Sequence, residues 1–137
     1  MMKRIYILTM VLACALLSSC TSTKVDEAFL STASSGLSIK GNDIFRFDAL
    51  SCQTSFNREK REFRVFTDNM SDYYCLTLNS VPSQVGDKAK GELRWTSRNG
   101  VETKRDLSFQ VEQTDRSGRM WLWCKKEAIG VVVQTNY

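Results

Sequence analysis

The sequence contains no histidine, and this absence excludes several familiar kinds of chemistry. Ser-His-Asp and Cys-His catalysis, histidine metal sites and the usual pH switch near neutrality all require an imidazole. Proline occurs once, at Pro82, so a proline-rich linker is also excluded. There is no GxGxxG, P-loop or EF-hand pattern. We therefore predict a protein that is not an enzyme and that has no cofactor and no metal site.

The composition is that of a folded protein with a hydrophobic core. Of 137 residues, 42% are hydrophobic and 25% are charged, which is too apolar for a disordered chain. The length allows one domain and leaves no room for a second of ordinary size.

The N-terminal residues have the pattern of an export signal. Lys3 and Arg4 precede the uncharged stretch 5–17. Its length fits a signal-peptide core, which spans about 7–15 residues, and is too short for a membrane-spanning helix, which needs about 20.

The residues that follow, Leu17-Ser18-Ser19-Cys20, resemble the lipobox of bacterial lipoprotein precursors. The resemblance covers residues 1–20 only. It implies cleavage between Ser19 and Cys20, a diacylglyceryl group on the Cys20 thiol and, usually, acylation of the new amino terminus. Two or three acyl chains would give stable attachment to a membrane. An ordinary secretory signal with an incidental cysteine is the alternative.

The residues after Cys20 bear on where the protein is sorted. Thr21 replaces the aspartate that retains enteric lipoproteins at the inner membrane, and this favours the outer membrane. Lys24, Asp26 and Glu27 are similar to the surface-export signal of Bacteroidetes lipoproteins, although Val25 interrupts the pattern. We predict an outer-membrane lipid anchor, and the sequence leaves open whether the domain faces the periplasm or the cell surface.

The net charge gives no indication of nucleic-acid binding. Loss of Lys3 and Arg4 with the signal lowers the formal charge from +4 to +2. A nearly neutral domain with scattered charges lacks the basic surface that nucleic acids require. The basic residues between positions 58 and 64 are diluted by Glu59 and Glu62, so they predict a solvated hairpin, with an anionic partner as the alternative.

The chain divides into three segments: a signal peptide at 1–19, a lipidated tether at 20–36 and a single β domain at 37–137. The tether is rich in small polar residues. Val25, Phe29 and Leu30 nevertheless lie at helical spacing, which predicts either a flexible tether or a short helix docked on the domain.

From Leu37 onward, hydrophobic residues alternate with polar ones, which is typical of half-buried antiparallel strands. Asn99-Gly100 predicts a hairpin with a type I′ turn, and the sequence from Asp115 to Gly118 predicts a second turn. We predict an all-β fold, a small antiparallel barrel or sandwich of seven to eight strands.

Three cysteines remain after the lipid cysteine: Cys52, Cys75 and Cys124. Export favours disulfides, and three cysteines allow one pair. The alternation places Cys52 and Cys75 on the outer parity of their strands, so we predict a Cys52–Cys75 disulfide with Cys124 as a buried thiol. Three reduced, buried cysteines are the alternative.

The stretch from Met120 to Cys124 is apolar on both faces, so something must cover its second face. A protein partner or a stacked sugar could bind there, with Trp121, Trp123 and Tyr73 as the predicted contact residues. The other covers are a second sheet, the tether helix or another copy of the chain. We expect one tryptophan to face the core, so that its removal costs more stability than removal of the other.

These observations favour a lipid-anchored, non-catalytic binding module for a protein partner in the cell envelope, comparable to an inhibitor or immunity protein. Two alternatives stay open. One is a β-barrel that carries a small ligand or carbohydrate. The other is a structural envelope protein that self-associates, for example as a homodimer. The carboxylate pairs Glu59/Glu62 and Asp68/Asp72 are interpreted as solvated turn residues.

Overall fold

A computed structural model of the chain describes residues 24–40, 43–47, 52–67 and 72–135. Within these ranges lie one short helix, α1 (Glu27–Leu30), and nine strands. The strands are β1 (Ser35–Ile39), β2 (Asp43–Phe47), β3 (Gln53–Asn57), β4 (Glu62–Phe66), β5 (Asp72–Leu78), β6 (Lys88–Ser97), β7 (Gly100–Thr114), β8 (Arg119–Cys124) and β9 (Ile129–Gln134). None of the helices in the described ranges is long and apolar enough to cross a membrane.

All nine strands form one antiparallel sheet in the order β2-β1-β9-β8-β7-β6-β5-β4-β3. Strands β3 to β9 pair consecutively, and β1 then pairs with β9. The chain therefore passes from one edge of the sheet to the other between β2 and β3. Because β3 also approaches β9, the sheet curls upon itself and encloses its inner face.

The core fills the concave side of this curled sheet. Alternate residues of the strands supply it, as the period of two predicts. The buried inner side chains include Leu37, Phe63, Val65, Tyr74, Leu76, Leu93, Leu107, Phe109, Val111, Leu122 and Val131. A cavity between β4, β5 and β9 measures about 10 Å³, roughly the space of one water molecule. Side chains therefore fill this part of the interior.

One buried hydrogen bond joins the two sides of the curl. The hydroxyl of Tyr74 on β5 donates to the backbone carbonyl oxygen of Val132 on β9 over 2.7 Å. Tyr74 is 1% exposed, so water cannot replace this bond in the folded protein. The bond fixes how far β9 lies from the middle of the sheet.

The predicted all-β antiparallel class is confirmed, with nine strands in the described residues where seven to eight were expected. The described residues include the short helix, and β1 begins at Ser35, inside the segment assigned to the tether. The signal peptide and Cys20 lie outside the described residues.

Both predicted turns connect strands, but the first has a different geometry. Ser97 pairs with Gly100, so Arg98 and Asn99 form the loop. Gly100 has a φ of 111°, and Asn99 is not among the residues with positive φ. The type I′ assignment is therefore wrong, since that turn needs two positive φ angles. The second turn ends on Gly118, with a φ of 85°, as expected.

The bond across the curl can be tested by removing one hydroxyl. We expect Tyr74→Phe to lower the free energy of unfolding by about 1–2 kcal/mol, because the carbonyl of Val132 loses its buried donor. Ser38→Ala is the matched control, since the hydroxyl of Ser38 is equally buried but has no hydrogen-bond partner among the described residues. Denaturant unfolding measures both. Equal losses in the two variants would contradict the assigned role of the bond.

Candidate functional site

Strand β8 lies within the sheet and is buried on both faces. Met120, Leu122 and Cys124 face the inner core. Trp121 and Trp123 belong to a separate outer cluster with Phe29 and Val132, which we call the outer aromatic cluster. The apolar character of both faces, evident in the sequence, thus corresponds to two distinct buried environments.

Helix α1 supplies the cover of the outer face. The carboxylate of Asp26 accepts a hydrogen bond from the Ala28 amide over 2.8 Å and caps the helix. Phe29 is fully buried, and its ring centroid lies 5.7 Å from that of Trp123. The side-chain amide of Gln113 donates to the carbonyl oxygen of Leu30 over 3.3 Å and holds the other end of α1 on the sheet.

Gly130 makes the close approach of Phe29 possible. A Cβ atom at this position would lie 2.7 Å from Cζ of Phe29 and 2.8 Å from Cε3 of Trp123. Real Cβ contacts are not this short, so only glycine fits below the two rings. The seat of α1 therefore depends on a residue that carries no side chain.

The two tryptophans are not available to a partner while α1 is in place. Trp121 is 3% exposed and Trp123 is 1% exposed. The expectation that one indole faces the core and the other does not is wrong, because residues two apart on a strand share a face. The structure instead has the tether helix as the cover.

Tyr73 is not on the outer face beside the tryptophans. The pairing of β4 with β5 shifts between Val65 and Phe66, so Tyr74 opposes Val65 and Asp72 opposes Phe66. This bulge leaves Tyr73 as the extra residue, half-buried and packed against the inner core. The structure does not bring Tyr73 together with Trp121 and Trp123.

The predicted Cys52–Cys75 disulfide is absent, and all three described cysteines are buried thiols. Cys52 packs in the inner core. Cys75 lies on the outer face, opposite Arg64 and Arg94 on the two neighbouring strands. Cys52 directly precedes β3, and Cys75 lies on β5. Strand β4 lies between these two strands, which are therefore about 9–10 Å apart. A disulfide needs Cα atoms within about 7 Å of each other.

The chemistry around Cys75 keeps its sulfur unreactive. Burial raises the pKa of the Cys75 thiol, and the nearby charge of Glu62 adds to this effect. The thiol therefore stays protonated at neutral pH, and a protonated thiol is a poor nucleophile. Among the described residues there is no group of three side chains that could hold a metal ion.

A polar clamp beside Cys75 ties three strands together. The carboxylate of Asp72 accepts hydrogen bonds from Nη2 of Arg64 and Nη2 of Arg94, each over 2.6 Å. The bond to Asp72 raises the pKa of Arg64. Asp72 offsets one of the two guanidinium charges, and a carboxylate oxygen of Glu62 lies 3.9 Å from Nε of Arg64, so the clamp holds the start of β5.

The end of the β6–β7 hairpin is a candidate surface that the sequence did not predict. The hairpin arm, residues 96–106, extends beyond Trp95, which pairs with Tyr74 and packs against the inner core, and beyond Leu107, the buried residue of β7 nearest the tip. β8 pairs with β7 only from Gln110 onward, so residues 100–106 bond to β6 on one side and to no described strand on the other. We call this side the open edge. Little in the sequence marks this surface, because hydrophobic and polar residues alternate only from Leu107 onward and residues 102–106 are all polar or charged.

A bulge sets the direction of the hairpin arm, and an exposed valine lies near its tip. A bulge shifts the pairing between Gly91 and Leu93, and Asp106 at the same level has a φ of 56°. Bulges of this kind bend a strand and redirect its end. Near the tip, Val101 is 66% exposed, which is unusual for a large apolar side chain. The arm thus presents an unpaired strand edge with an apolar residue on it.

The seat of α1 can be tested at Gly130. We expect Gly130→Ala to displace Phe29 and to lower the free energy of unfolding by about 1–3 kcal/mol, because the added methyl overlaps two rings. The same substitution in a Phe29→Ala background should cost less, since one of the two rings is gone. Thermal unfolding with tryptophan fluorescence measures both. An identical cost in the two backgrounds would show that Phe29 does not rest on Gly130.

Comparisons with known proteins assign the chain to no family. No protein-family model matches the chain, and neither a curated protein nor a solved structure matches it significantly.

Proposed function

We propose that the protein is a lipid-anchored, non-catalytic binding module of the bacterial envelope, and that its hairpin arm meets a protein partner. The observation that carries the proposal is the open edge at residues 100–106. An unpaired strand edge lets a partner add a strand through main-chain hydrogen bonds, and side chains along the edge provide the specificity.

The side chains of the arm favour strand pairing with a selected partner. Glu102, Lys104 and Arg105 bring charges of both signs to the start of β7. Charged residues on an exposed edge suppress indiscriminate pairing, so a partner must complement them. Lys104 is also fixed, because its Nζ lies 3.1 Å from a carboxylate oxygen of Glu127 in the β8–β9 turn. This half-exposed ion pair places the β8–β9 turn beside the base of the arm.

The anchor rests on the lipobox, and the docked helix adds a geometric consequence. Val25 packs against the outer aromatic cluster, only five positions after Cys20. A fully extended chain spans at most about 3.3–3.6 Å per residue, so a lipid on Cys20 would hold Val25 within about 18 Å of the membrane surface. The domain would then stand close to the outer membrane, on its periplasmic or its outer side.

The competing functions are less well supported by the geometry. A carrier needs an open interior, and the space beside Phe63, Val65 and Tyr74 is filled by side chains except for room for about one water molecule. Self-association through the tryptophans is not needed to cover them, because α1 already does so. Self-association through the open edge is a distinct outcome that the experiment below separates from binding of another protein.

The lipid anchor predicts a change of compartment. We expect Cys20→Ala to move the protein from the membrane fraction to the soluble fraction and to abolish incorporation of labelled lipid. Cys14→Ala is the matched control, because Cys14 would leave with the signal peptide and so should change neither result. Continued lipid labelling of the Cys20→Ala protein would contradict the proposed lipid anchor at Cys20.

The partner surface predicts crosslinking at one of two similar valines. Val101 lies on the arm and is 66% exposed, and Val85 lies on a loop elsewhere and is 58% exposed. We expect a photocrosslinking residue at position 101, in intact cells, to give a discrete adduct with another protein, and the same residue at 85 to give none. An adduct of twice the protein's own mass would mean self-association. Equal adducts at both positions, or none, would refute the arm as the partner surface.

A further inference from the structure

A groove of about 430 Å³ opens on the outer face of the sheet where β8 ends. Ser108 and Gln110 on β7 lie at its base, beside the edge of Trp123. Its walls carry four exposed lysines: Lys88, Lys90, Lys125 and Lys126. We call this feature the lysine groove.

The strand register brings these lysines together. Lys88 pairs with Gln110, which in turn pairs with Trp123, and Lys90 pairs with Ser108. Lys88 and Lys90 are two residues apart on β6, so their side chains project from the same face. The other two lysines follow directly after β8 and close the groove from the opposite side. No pattern along the sequence connects the two pairs.

No carboxylate among the described lining residues balances the charge of the lysine groove. These residues include neither aspartate nor glutamate. None of the four lysines takes part in an ion pair among the described residues, whereas Lys104, Arg105 and Arg119 each lie within 4 Å of a carboxylate. Four like charges around one depression repel each other and create a positive potential that attracts anions.

We propose that the lysine groove binds the phosphate groups of an anionic ligand. Lysine ammonium groups are compact donors that suit phosphate oxygens. The hydroxyl of Ser108 and the side-chain amide of Gln110 add neutral donors at the base. The volume lies within the range of about 300–1,000 Å³ that is typical of small-ligand sites. This inference goes beyond the proposed function and does not depend on the anchor or on the hairpin arm.

Two sources of phosphate fit the position of the lysine groove. Trp123 lines the groove and also contacts Phe29 of α1, which leads back toward Cys20. A phospholipid headgroup in the adjoining membrane therefore lies within reach if the anchor is present. A soluble phosphorylated compound would reach the same lysines from the solvent.

Two probes distinguish these sources, with the purified full chain in zwitterionic detergent micelles. Inorganic pyrophosphate is titrated by calorimetry and represents a soluble phosphate. Phosphatidylglycerol is added to the micelles and followed by tryptophan fluorescence, and it represents a headgroup. The test variant is Lys88→Ala/Lys125→Ala, which removes one lysine from each wall. The control is Arg98→Ala, eight residues from Lys90 at the tip of the hairpin. Circular dichroism checks the fold of each.

We expect saturable binding of at least one probe, weakened about tenfold or more by the double lysine variant and unchanged by Arg98→Ala. Added salt should weaken this binding because the attraction is electrostatic. A response to pyrophosphate assigns a soluble ligand, and a response to phosphatidylglycerol alone assigns a headgroup. The proposal is overturned if neither probe binds saturably, or if the lysine and Arg98 variants behave alike.

Discussion

Burial of β8 on both faces is the constraint on which the rest of the structure depends. A strand with Met120 and Leu122 on one side and Trp121 and Trp123 on the other cannot present either face to water without a large cost. The curl of the sheet covers the first face. Helix α1 covers the second, with Phe29 over Gly130. Both covers come from distant parts of the chain.

Helix α1, the cover of the outer face, removes the two tryptophans from the surface. Because α1 closes the outer aromatic cluster, the residues that looked most suitable for a partner are part of the packing instead. The same contact draws the N-terminal segment onto the sheet. If Cys20 carries a lipid, this contact determines which side of the domain is turned toward the membrane. The tryptophans would then orient the domain, and its other surfaces would stay exposed to solvent.

Those other surfaces arise from a difference in strand length. β7 has 15 residues and β8 has six, so β7 continues where β8 has ended. Past that point the edge of β7 is open among the described strands, and beside it the turn after β8 brings Lys125 and Lys126 opposite Lys88 and Lys90. The hairpin arm and the lysine groove are thus two results of one feature of the topology.

Two site predictions failed where the alternation of side chains was carried beyond one regular strand. Tyr73 lies at a bulge between β4 and β5, so its predicted outer position is lost. Cys52 precedes β3, which lies at the opposite edge of the sheet from β2, so the alternation before it does not fix its side; it faces inward and Cys75 outward, on strands that are not neighbours. A bulge adds one residue and reverses the faces that follow it, and nothing in these local sequences marks where it occurs.

The sequence by itself determined the all-β antiparallel class, the positions of the turns and the unusual character of the segment 120–124, because these depend on local alternation and turn chemistry. It also contained the helical spacing that places Phe29 on α1. Only the tertiary structure decided that α1 covers the tryptophans, that the cysteines lie apart and that four lysines surround one groove. These depend on which strands become neighbours, and that is fixed by the burial of the whole sheet rather than by any one segment of it.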